Sequence, residues 1–143
     1  MKRLWIVVSA TLMMVVALSP ASLEAQWLLV PMDGQQQNHL RAYGLTYWAL
    51  QQDEKSEWLL NYRGGSFLLP DTPELRREAA VRGVSISTVD ASAEARIRAT
   101  IAGSNMEAVP LERAPKVAIY TPPNSTPWDD AVTMVLEYAG IEY

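Results

Sequence analysis

The chain has no cysteine, one histidine and one phenylalanine among its 143 residues. Without cysteine it has no disulfide, no thiol nucleophile, no thiolate metal site and no cysteine-lipidated N-terminus, so its fold rests on packing alone. With His39 as the one imidazole, a histidine-rich metal site is excluded, and no Ser-His-Asp set, HExxH or GxSxG pattern occurs. Asp33 is the only carboxylate close to His39 in sequence, so a surface or capping role is the default for this histidine. Positive charge is also scarce. Twelve basic against sixteen acidic side chains give a net charge of −4, which argues against nucleic acid or an anionic membrane surface as partner. No apolar run reaches the length of a comfortable membrane span, and there is no internal repeat or low-complexity segment.

The longest apolar run lies at the start. Lys2 and Arg3 precede a mostly apolar core over residues 4–18, which predicts a secretory signal rather than a membrane span. Cleavage is expected after Ala25, with Leu23 at −3, because Gln26-Trp27 then opens a strand directly; the other candidate follows Ala21, with Ser19 at −3. An uncleaved anchor is the alternative. The mature protein is expected to be periplasmic or secreted, touching a membrane only through the signal. Losing Lys2, Arg3 and Glu24 leaves ten basic and fifteen acidic groups, which makes it more acidic still.

Beyond the signal, strand and helix patterns alternate. Residues 27–31 (WLLVP), 57–62 (EWLLNY) and 84–89 read as strands, with 67–69 as a short extension or hairpin arm. Residues 36–52 read as a helix with Leu40, Tyr43, Tyr47 and Leu50 on one face, widened by Trp48. Gly44 inside it weakens the helix and marks a close packing contact. A second helix starts at the Asp71-Thr72-Pro73-Glu74 cap and stops at Gly83. A third, capped by Asp90 or Ser92, sets Ala93, Ile97 and Ile101 inward and stops at Gly103. Residues 104–115 read as a linker. Residues 116–121 then read as a strand, and a helix follows that Thr126 caps, with Pro127 at its first position. Trp128, Val132, Val135, Leu136 and Ala139 form its apolar face, Gly140 ends it, and residues 141–143 open another strand. Asp129 and Asp130 suit the positive end of that helix better than they suit an acid pair, because adjacent helical residues do not face each other.

This order predicts a small three-layer α/β/α domain with a largely parallel sheet over residues 26–103. The linker leads into the first βαβ of a flavodoxin-like domain over 116–143, truncated in its second strand. Arg63, Gly64, Gly65 and Ser66 are the candidate ligand-binding residues: a turn after a strand can cradle an anion through backbone N–H groups, with Arg adding charge. The spacing matches neither standard phosphate loop, so a tight turn is the competing reading. The residues imply no catalytic group, metal or cofactor, and leave a small-molecule ligand unidentified.

The segments WLLVPMD, NHLRAYGLTYWAL, EWLLNYRGGSFLLPD, NMEAVPLERAPKVAIYTP and PWDDAVTMVLEYAGIEY together resemble a group of exported bacterial proteins of the Bacteroidota type, often labelled asparagine synthetase B. The resemblance covers nearly the whole mature chain, and NYRGGSF and PWDDAVT are its most specific phrases. It implies a longer protein whose part beginning at KVAIYTP is a class I glutamine amidotransferase-like, flavodoxin-like domain. The present chain would be its N-terminal fragment, packed against the rest of that protein. The resemblance places the nucleophile elbow and its His and Glu partners beyond Tyr143, so no catalytic residue carries over. An asparagine synthetase of the B type would need an N-terminal Cys and an SGGxDS-like loop, and this chain has neither.

Overall fold

A computed structural model of the protein describes residues 27–124, 126 and 130–143. The predicted signal over residues 1–25 lies outside them, as do Pro127, Trp128 and Asp129. The elements run β1 (Trp27–Val30), α1 (His39–Gln51), β2 (Ser56–Leu60), a 3-10 turn (Tyr62–Gly64), β3 (Phe67–Pro70), α2 (Pro73–Arg82), β4 (Ser87–Val89), α3 (Ala91–Ala102), β5 (Glu107–Leu111) and α4 (Ala131–Ala139). Among the described residues, no helix is long and apolar enough to cross a membrane.

The helices begin and end where local chemistry directs. Thr72 accepts from the Leu75 amide at 3.2 Å and Asp90 from the Ala93 amide at 2.7 Å, each satisfying an otherwise orphaned donor. Pro73 needs no partner at the first position of α2, and Gly83 stops the helix at φ +66. Asp130, rather than Thr126, caps α4: its Oδ1 accepts from the Val132 amide at 2.9 Å, and Gly140 ends the helix at φ +73.

The five strands lie in the order β4-β1-β3-β2-β5, and every neighbouring pair is antiparallel. This corrects the expectation of a largely parallel sheet. β1 and β2 do run the same way with α1 between them, but β3 separates them. A turn as short as 61–66 returns the chain only as a hairpin, because a parallel return needs a long crossover. Phe67–Pro70, expected as an extension or hairpin arm, is therefore the central strand, with Phe67, Leu68 and Leu69 buried.

The three layers hold. Leu28, Val30, Phe67 and Leu69 point to one face, where Ala42, Leu45 and Ala49 of α1 and Leu75 and Ala79 of α2 cover them. Leu29, Leu59 and Leu68 point to the other face, against Ile97 and Ile101 of α3, as the period of two requires. On α1 the inward residues include Ala42, Leu45 and Ala49, whereas Leu40 and Tyr43 of the expected face sit exposed at its rim. Arg98 fastens α3 to the sheet. Its guanidinium pairs with Glu57 of β2 and Glu94, and hydrogen bonding to Glu57 raises its already high pKa.

The end of the chain differs most from expectation. The expected linker contains β5, an edge strand whose Pro110 leaves no N–H to donate, as an edge tolerates. Residues 116–121 and 141–143 form no strand, because no described segment pairs with them. α4 lies against α1 instead of opening a second sheet. Gly44 makes this approach possible: a Cβ there would stand 1.7 Å from the Ala139 carbonyl oxygen.

Candidate functional site

Arg63, Gly64, Gly65 and Ser66 are brought together as the β2–β3 turn, and the backbone there is unusual. Asn61 and Arg63 are non-glycine residues at φ +62 and +46, followed by Gly64 at +82 and Gly65 at +89. A Cβ on Gly64 would meet the Met32 carbonyl oxygen at 2.4 Å, so only glycine fits. The Gly65 and Ser66 amides both donate to the Tyr62 carbonyl at 3.0 Å, and Ser66 Oγ, fully buried, donates to the Arg63 carbonyl at 3.1 Å. Trp58 Nε1 donates to the Gly65 carbonyl at 3.1 Å.

The Arg63 guanidinium turns back onto the β1–α1 loop. Nε reaches Asp33 Oδ2 at 2.7 Å, and Nη2 reaches Asp33 Oδ1 at 3.2 Å and Gln35 Oε1 at 2.8 Å. These hydrogen bonds from Arg63, with one from the Gln35 amide, hold the Asp33 carboxyl below the usual carboxylate range. The Met32 amide donates to the Arg63 carbonyl at 3.1 Å. His39 Nε2 lies 3.2 Å from the Met32 carbonyl, an acceptor, so that nitrogen carries the proton. The Arg63 charge thus ties the turn to the β1–α1 loop, while the Gly65 and Ser66 amides close the turn on itself. Gln36, which sequence reading passed over, adds a third link. It is buried, donates to the Pro31 and Ser85 carbonyls at 3.1 and 3.2 Å, and accepts from the Ser85 amide at 3.0 Å. No local signal distinguishes Gln36 from its neighbours in the run Gln35-Gln36-Gln37.

The feature that faces outward is α4. Thr133 and Ala139 are its buried residues, and it seats its small side on α1. Asn38 Nδ2 donates to Tyr138 Oη at 2.6 Å, and Arg82 Nη1 to the Ala139 carbonyl at 3.1 Å. Val132, Met134 and Val135 point away, between 39% (Val135) and 64% (Met134) exposed, whereas the half-exposed Tyr138 turns back onto Asn38 and Arg41. Val132 and Val135, read as part of the apolar face of this helix, are thus left partly exposed. The close approach at Gly44 admits only small groups, so the bulky side of the helix turns to solvent.

No protein-family model matches the chain, and no curated protein or solved structure matches it either.

Proposed function

We propose that this chain is a non-catalytic α/β module of an exported, class I glutamine amidotransferase-like protein, and that it works by docking protein against the outer face of α4. The observation that carries this reading is the apolar stripe Val132, Met134 and Val135, held outward on a helix that Tyr138 and the Ala139 carbonyl fix from behind. Apolar side chains gathered on one outward helix face mark interaction sites more often than isolated ones do. The resemblance supplies the occupant. The stretch similar to the opening of an amidotransferase-like domain is the stretch that carries the stripe, so the rest of that domain is the surface that covers it. Periplasmic or secreted residence follows from the leader over residues 1–25, and Arg63 to Ser66 act as a turn that stiffens the module.

Two measurements test the proposal. The purified chain releases no ammonia from glutamine above buffer, since it offers no activated nucleophile. Turnover that copurifies with the chain and vanishes in His39→Ala contradicts the non-catalytic reading. Mass spectrometry of exported protein finds Gln26 at the N-terminus, or Ser22 if the earlier site is used. Retained Met1 contradicts export with cleavage.

A further inference from the structure

The chain has six methionines, and Met1, Met13 and Met14 belong to the predicted leader. The other three sit at three depths. Met32 is 8% exposed and belongs to the core that α1 and α2 cover. Met106 is partly buried against the core on the α3 side. Met134 stands on the outer side of α4 and is the most open member of the stripe it shares with Val132 and Val135.

A thioether is a soft, polarisable nucleophile, and access to its sulfur governs how readily it is oxidised. Thiolates would react with the same oxidants, but the chain has no cysteine to compete. Oxidation makes an apolar side chain polar and chiral. Carried into a dry contact, the new oxygen costs free energy unless a donor meets it, and the side chains of Val132 and Val135 offer none. We propose that Met134 is a reversible oxidation site at which a hydroperoxide switches off the apolar face of α4. The sulfur lone pair attacks one peroxide oxygen and the O–O bond breaks. The proton on the transferred oxygen passes to the leaving one. The sulfide is thereby oxidised to the sulfoxide, and the peroxide is reduced to water or an alcohol. A methionine sulfoxide reductase reverses the step, two of its thiols becoming a disulfide as water is released. The effect on docking rests on the reading of α4 as a docking face; the site of oxidation does not.

The test treats the full chain with hydrogen peroxide and locates the added oxygen by peptide mass spectrometry. Met134 is expected to react at close to the rate of free methionine, and at least about tenfold faster than Met32, which local opening must first expose. Met106 should fall between them. Oxidation of Met32 or Met106 as fast as Met134 overturns the site. The face itself is read with Nile red, an uncharged dye that fluoresces on apolar surface. Untreated wild type and Met134→Leu are expected to bind it alike. Peroxide should lower the wild-type signal severalfold, leave Met134→Leu unchanged, and be reversed by the reductase. An equal loss in Met134→Leu overturns the switch. Dye bound to neither untreated protein contradicts the docking face, and with it the switch, whatever the mass spectra show.

Discussion

At Gly44 two effects compete. Alanine is the better helix former by about 1 kcal/mol, so intrinsic propensity favours Gly44→Ala. The added Cβ, however, would stand 1.7 Å from the Ala139 carbonyl oxygen, and overpacking of that kind costs about 1–3 kcal/mol. The clash wins, because the obstructing atom is backbone and cannot rotate away. Gly44→Ala is expected to lower the thermal midpoint and loosen α4; a raised midpoint would show that α4 is not seated on α1. Asp33 gives a second prediction at this scale. Its carboxyl titrates below the normal range in the folded protein because Arg63 and the Gln35 amide bond its charged form. Its contribution to stability is therefore complete above the unfolded value of about 3.9 and is lost as pH falls through the lower folded value. Melts across the acid range should show this loss in the wild type and not in Asp33→Asn. Identical pH profiles would mean that the Arg63–Asp33 latch contributes nothing.

The elements divide by how local their signals are. Helix starts and stops were legible because Thr72-Pro73-Glu74, Asp90, Gly83 and Gly140 act on their own backbone neighbours. Ile97 and Ile101 were legible because helical period and burial agree on α3. Strand pairing was not, since the partner of Phe67–Pro70 is β1, some forty residues earlier, and nothing in four apolar residues names it. On α4 the apolar stripe was legible from helical spacing, although spacing alone does not say whether a stripe faces core or solvent. The turn at Arg63 to Ser66 was legible as a turn, whereas the Arg63–Asp33 pairing spans thirty residues and left no local mark. These differences predict a ranking of backbone protection. Amides of Leu28 to Val30 lie in a strand paired on both sides and should exchange slowest. Those of Val117 to Tyr120 pair with no described strand and should exchange fastest, and those of Leu136 to Ala139 fall between. Equal protection at Val117 to Tyr120 and Leu28 to Val30 would require a pairing partner that this fold does not supply.

On the scale of the whole molecule, one sheet is covered on both faces, and one further helix rests on the covering layer with its apolar side outward. The chain has no cysteine, so its folding needs no oxidation. That absence also makes any introduced cysteine the single reactive thiol, which gives direct access to the central claim. Val135→Cys and Thr133→Cys place that thiol on opposite sides of α4, one exposed and one buried. In dilute, monomeric full chain, maleimide is expected to label the cysteine at 135 at nearly the rate of a free thiol and the one at 133 far more slowly. Equal rates at the two positions, or protection at 135, would contradict an outward docking face on α4.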